Sequence, residues 1–295
     1  MKETGEIEIN ASQRTVKCGN AVCGSVITGT DKIRSGYGNG DCLYFDFKHG
    51  VFAIADATER FPWASRDLLN RLSETLSLRG TPGSSEGWKD LVNTEVYSAQ
   101  KYQHKTTFSC VALDREGEGG GMVVIHGGDS VVTVINPADG SLLYQTGPDM
   151  NFAGRSLGIT DVSEHRYGDR NVRVIISSDG FGDLFRFCLR QKLIKNAAQA
   201  FAGNTLAGVC GNIHEVLDNN RGRFEHDDIG FILIDPFRAV NIRGPRILIG
   251  GTRPNEEKRF LEGASSGPRN RWVPAGEWRE HESMFSGIGI TIAGG

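Results

Sequence analysis

The sequence predicts a layered α+β domain, on three observations. Apolar strand-like runs come as hairpin partners: "DCLYFDF" and "HGVFAIAD" around Lys48-His49-Gly50, and "SVVTVIN" and "SLLYQT" around "NPADG". Helical patterns come in pairs, two after residue 63 and two after residue 183. Strands and helices do not alternate one by one, so the sheets should be mostly antiparallel rather than doubly wound and parallel.

Taken in order, "AVCGSVITG" (21–29) is a strand, and the Gly-rich "RSGYGNG" leads into the first hairpin. In "WASRDLLNRLSETLSL", Leu68, Leu69, Leu72 and Leu76 fall on one helical face. A second helix follows "RGTPGSS", with Leu91, Val92, Val96 and Tyr97 recurring at helical spacing, and "KYQHKTTFS" reads as its exposed basic end. Strands return in "TTFSCVALD", "GGMVVIHGGD", "SVVTVIN" and "SLLYQT". An irregular stretch, "GPDMNFAGRSLGITD", precedes the strand "RVIISSD". Next come a long amphipathic helix over "DLFRFCLRQKLIKNAAQAFA", a second over "LAGVCGNIHEVLDNN", and the strand "DIGFILID". Residues 1–239 therefore form the main domain. From 240 to 295 the chain is rich in Arg, Gly and Pro, carries Trp272 and Trp278, and ends in "GIGITIAGG"; it is expected to be an extension anchored on the core.

A net charge of -3 gives no reason to expect nucleic acid or an anionic membrane as partner. No apolar segment approaches the roughly 20 residues of a membrane span, and the N-terminal stretch has no signal-peptide pattern. The six cysteines are scattered, without zinc spacing, and read as reduced buried thiols of a cytoplasmic protein. His126, in an alternating strand, reads as a packed core histidine.

Aspartates collect at the strand ends: Asp41 before a strand, Asp56, Asp129 and Asp179 after strands, and Asp227 and Asp228 before the last one. In a sheet protein these ends can share one edge. Carboxylates that converge cannot all stay ionised without a cation between them. With only oxygen donors on offer, that cation is hard, Mg²⁺ or Mn²⁺. Two such ions can activate a water for attack at phosphorus.

The ordered series "NGDCLYFDF", "VFAIADATER", "TTFSCVAL", "VIHGGDSVVTVI", "VIISSDGFGDLF" and "HDDIGFILI" resembles the motifs of the metal-dependent protein phosphatases, the PP2C (PPM) superfamily, over residues 20 to 235. The "GD…YFDF" and "DDI" forms are similar to the bacterial SpoIIE/RsbU-type branch. The resemblance implies an α-β-β-α sandwich of two mostly antiparallel sheets flanked by helix pairs. It also implies hydrolysis of phosphoserine or phosphothreonine in protein substrates, by water activated between two Mn²⁺ or Mg²⁺ ions, with a third ion in some members. By position in the motifs, Asp56 bridges both ions and Ala57 lends its carbonyl to the second. Asp179 and Asp227 complete the first, Asp41 supports the second through water, and Asp129 and Asp183 match acids of the third. Asp56 and Asp179 thus carry the catalytic roles, with Arg34 as the phosphate-binding guanidinium, set at a looser spacing from Asp41 than in typical members.

Departures from the pattern are Ala57-Thr58-Glu59 after the bridging acid, where Gly is usual, Gly40 in place of an acid before Asp41, and Gly230 in place of a threonine. No His follows Asp56 to serve as general acid. These departures leave a second reading open, a pseudophosphatase keeping the fold as a binding module. The retained acids favour the enzyme, since a silent site has no need of an electrostatically costly cluster.

Overall fold

Continuous apolar runs become central strands, covered on both faces. The computed structural model describes residues 5–115, 121–155, 158–168, 171–195, 200, 205–263 and 271–294. In chain order come β1 (Ile7–Asn10), β2 (Thr15–Cys18), β3 (Val22–Ile27), α1 (Thr30–Ser35), β4 (Asp41–Asp46) and β5 (Val51–Asp56). Next are α2 (Ala64–Arg79), α3 (Ser85–Leu91, continued by a wider-turned segment Val92–Tyr97), β6 (Phe108–Leu113), β7 (Gly121–Gly127), β8 (Val131–Ile135) and β9 (Leu142–Gln145). The chain proceeds through β10 (Asp161–Arg166), β11 (Arg173–Ser177), α4 (Asp179–Arg190), α5 (Leu206–Asn219), β12 (Ile229–Ile234) and α6 (Pro236–Ala239). It closes with β13 (Arg246–Gly250), α7 (Pro254–Gly263), β14 (Trp272–Pro274), α8 (Glu282–Gly287) and β15 (Ile290–Ala293).

One sheet runs β14-β1-β2-β3-β12-β11-β8-β9, the other β10-β7-β6-β5-β4-β13-β15. Every pairing between these strands is antiparallel. Phe45, Phe52, Ile54, Val132, Ile176 and Ile232 face the core between the sheets. Their strand neighbours Tyr44, Ala53 and Ala55 face α2 and α3 instead, which is why β4 and β5 read as unbroken apolar runs. Leu68, Leu69, Leu72 and Leu76 of α2 are fully buried against this sheet, each contributing about 2 kcal/mol of hydrophobic stabilisation. On the outer face of the other sheet, Leu184 and Cys188 of α4 pack with Val209 and Cys210 of α5 over Phe231 and Leu233 of β12. The result is the α-β-β-α sandwich.

Three strands and one helix differ from expectation. The strands β1, β2 and β10 were not foreseen. β10, "DVSEHR", has one apolar residue and is an edge strand recognisable by its ladder to β7 and not by hydrophobic pattern. The helix expected over 183–202 starts earlier and stops at Arg190. Lys192 turns left-handed (φ 58°), while the Lys192 and Leu193 amides return to the carbonyls of Leu189 and Cys188, a helix-ending motif that apolar periodicity does not reveal. The later part of that expected helix falls largely outside the described residues. The chain beyond residue 240, expected as an extension anchored on the core, pairs into both sheets: β13 lies beside β4, β15 beside β13, and β14 beside β1. Lys17 Nζ sits 4.0 Å from the Trp272 ring centre, and Trp278 packs on the inter-sheet core.

All six cysteines are buried free thiols. His126 is fully buried, its ring nitrogens facing Ser109 Oγ and the Gly147 carbonyl. Among the described residues no helix is long and apolar enough to cross a membrane.

Candidate functional site

The antiparallel register of β4 and β5 sets Asp41 directly opposite Asp56. Asp41 is 1% exposed. Its Oδ2 accepts a hydrogen bond from Ser178 Oγ at 2.7 Å, and that hydroxyl accepts one from the Gly230 amide at 2.9 Å. Oδ1 of Asp41 is buried without a hydrogen-bond partner. A Cβ at Gly230 would stand 3.0 Å from Asp41 Oδ2, so the departure to Gly at this position leaves room for the carboxylate. Gly40 has a similar cause, because a Cβ there would lie 2.5 Å from the Ala57 carbonyl oxygen. An acidic side chain at position 40 and the observed path of Ala57 exclude one another.

Asp228, at the start of β12, is the second buried acid. Its two oxygens accept the Gly29 and Gly40 amides, each at 2.7 Å. Burial pushes its pKa up to about 7 against those donors, with the Asp227 charge adding to the rise. Burial also raises Asp41 and Asp56 well above the usual carboxylate range, and each is raised further by the other acids around it. Asp179, first residue of α4, is raised by burial and by Asp129 and Asp227. Four carboxyls raised by burial and by one another, with a fully buried unpartnered oxygen among them, form a site short of positive charge.

In front of Asp56 opens a cavity of about 300 Å³, lined by Asp56, Ala57, Asp129, Asp227 and Asp228 among others, with Lys32 and Lys105 as its cations. Lys105 Nζ lies 3.5 Å from the Phe152 ring centre, at the mouth. Asp227 is half-exposed and ion-paired to Lys32 at 3.2 Å. Asp183, one turn along α4 from Asp179, is exposed and paired with Arg186 on its own helix; it does not line the cavity. Arg34 is exposed and bonds Glu225 Oε1 at 2.6 Å. Lys32, two residues earlier on α1, points inward in its stead.

The chain's own signals did not single out Lys32 or Asp228; the doublet Asp227-Asp228 named the pair without telling which side chain is buried. Nor did they reveal the brace supplied by the C-terminal segment. The Gly251 amide donates to the Asp41 carbonyl at 2.7 Å, and the Thr252 amide to the Asn39 carbonyl at 2.9 Å. Thr252 Oγ1 accepts the Asn39 amide and donates to Glu257 Oε2 at 2.6 Å. Glu257, 1% exposed on α7, also takes the Thr28 hydroxyl at 2.5 Å and Arg14 Nη1 at 2.7 Å. Arg14 is itself fully buried over Phe260. One buried ion pair thereby ties the two loops that deliver Asp41 and the Gly29 amide.

The donors fit a hard divalent cation in kind: oxygens only, mutually raised pKa values, and one buried carboxylate oxygen with nothing to bond. As the side chains stand, no three His, Cys, Asp or Glu groups among the described residues are placed to hold one ion together.

This layered architecture is the PP2C-type phosphatase fold. A bacterial serine phosphatase shares it with a TM-score of 0.55 over 72% of this chain and 96% of that chain, at 14% identity. A point variant of a bacterial serine phosphatase matches with a TM-score of 0.54 at 15% identity over the same shares. No family model and no curated protein matches the chain by sequence. At identities this low the likeness fixes the fold, and the chemistry has to be argued from the residues.

Proposed function

We propose that this chain is a divalent-metal-dependent phosphatase acting on phosphoserine or phosphothreonine in proteins. The observation that carries the reading is the acidic cluster at the sheet ends, in which Asp41, Asp56, Asp179 and Asp228 share a deficit of positive charge. Asp56, Asp179 and Asp227, with the Ala57 carbonyl, are the groups that would hold Mn²⁺ or Mg²⁺; Asp41 would back them, and Asp129 would serve a third ion. Bound there, the ions withdraw charge from phosphoryl oxygens and lower the proton affinity of water. Asp228 does a different job: both its oxygens are spent on backbone amides, so it fixes the loops around Gly29 and Gly40. Lys105 at the mouth draws the dianionic phosphoryl group inward. The Arg34 role assigned by motif position passes to Lys105, the more accessible of the two lysines that line the cavity. Six buried free thiols are in keeping with a reducing, cytoplasmic setting for such an enzyme.

A silent phosphatase fold acting as a binding module is the second reading, and the Lys32–Asp227 ion pair favours it. Hydrolysis of p-nitrophenyl phosphate and of a phosphothreonine peptide, titrated with Mn²⁺ and Mg²⁺, separates the two. Metal-dependent turnover is expected, falling by about a hundredfold or more in Asp179→Asn. Folded wild-type protein without turnover at millimolar metal establishes the silent reading instead.

A further inference from the structure

Lys32 is a charge that neither the fold nor the proposed chemistry has used. Its side chain is 3% exposed, yet its ammonium is held by Asp31 at 3.0 Å, Glu59 at 2.7 Å and Asp227 at 3.2 Å. All three partners are half-exposed, so the rim of the cavity closes over the cation. Three carboxylates within 3.2 Å surround the ammonium. Glu59 belongs to Ala57-Thr58-Glu59, the stretch that departs from the family pattern directly after Asp56. The Glu59 carboxylate, three residues after Asp56, is bonded to this cation.

We propose that Lys32 is a tethered counter-ion of the acidic cluster, occupying Asp227 at the cavity mouth and weakening the uptake of a divalent ion there. The inference rests on the metal-dependent reading above. An ion approaching Asp227 must either displace the ammonium from that carboxylate or lie beside a like charge in a partly buried site, and both oppose binding. The lysine thereby sets the metal concentration at which the mouth of the site fills, while the Asp41–Asp56 end, which Lys32 does not touch, is unaffected.

The test is Mn²⁺ titration of the full chain by calorimetry, with bound Mn²⁺ counted by electron paramagnetic resonance, for wild type, Lys32→Met and Lys32→Arg. Lys32→Met is expected to bind Mn²⁺ about tenfold more tightly at the weaker step, or to gain an ion; Lys32→Arg keeps the charge and the wild-type isotherm. Because the Met variant leaves three carboxylates without their cation, wild-type protein supplies an independent measurement. Acetylation of Lys32 by an N-hydroxysuccinimide ester, read by mass spectrometry, is expected to be slow without metal and to rise severalfold as Mn²⁺ saturates and frees the ammonium. Equal Mn²⁺ binding in wild type and Lys32→Met, or Lys32 labelling indifferent to Mn²⁺, overturns the proposal and leaves the phosphatase reading intact. Mn²⁺ bound by Lys32→Met and not by wild type upholds the proposal and ends the reading of wild type as a metal enzyme. No binding to either protein overturns both.

Discussion

The floor and the mouth of the acidic cavity are built on opposite principles. At the floor, Asp41 and Asp228 are buried and held by backbone amides, a serine hydroxyl and loops braced from the C-terminal segment. At the mouth, Asp129 and Asp227 are exposed, and Asp227 is held by the Lys32 side chain. Backbone donors cannot turn away, so the floor keeps its geometry whether or not a ligand is present. A side-chain pair can be exchanged for a ligand, as the Lys32–Asp227 pair must be if an ion takes that carboxylate. A site built this way has one rigid end that defines position and one adaptable end that admits and releases.

The contrast is broken most severely through Glu257. Glu257→Ala leaves Arg14 buried without its counter-charge and frees Thr28 and Thr252, and it is expected to cost about 3–5 kcal/mol in chemical denaturation. A loss below 1 kcal/mol would mean that the brace does not hold the floor. Asp228→Ala comes next, at about 2–3 kcal/mol, because the Gly29 and Gly40 amides lose their acceptors; the same measurement at pH 6 reads it.

A smaller effect is expected from pH. Asp228, at about 7, and the raised Asp41, Asp56 and Asp179 bind protons more tightly folded than unfolded. Their contribution is full below the unfolded carboxylate range and is lost as pH rises through the folded values. Metal-free protein in EDTA should therefore melt at lower temperature at pH 8 than at pH 6, and Mn²⁺ should narrow the gap. A higher melting point at pH 8 in EDTA would contradict the charge deficit itself. The smallest effect belongs to the exposed Asp183–Arg186 pair outside the cavity: Asp183→Ala should change stability by less than about 0.5 kcal/mol.

The same division explains what the sequence made legible. Residues with strong periodic or motif signals, such as the α2 leucines, the β4–β5 hairpin and the strand-end aspartates, lie where the chain suggests. What escaped reading depends on partners distant in sequence. β10 is polar because an edge strand needs only ladder bonds to β7. Asp228 rather than Asp227 is buried because Gly29 and Gly40 reach it across the sheet. Lys32 and Arg34 lie two positions apart on one short helix, and nothing local tells which of them faces inward. Glu257 carries no motif at all; its importance comes from Arg14, 243 residues earlier.

The place of β13 between β4 and β15 also has a consequence for how the chain is made. β4 emerges early in synthesis, but the strand that covers its second edge follows about 200 residues later. Until then a nascent chain presents an open strand with the apolar run Cys42–Phe45 at its centre, the kind of edge that recruits a neighbouring chain. Ribosome stalling or premature termination before residue 250 would thus release a sticky, half-closed sheet, and the burden of preventing aggregation falls on whatever shields β4 during translation.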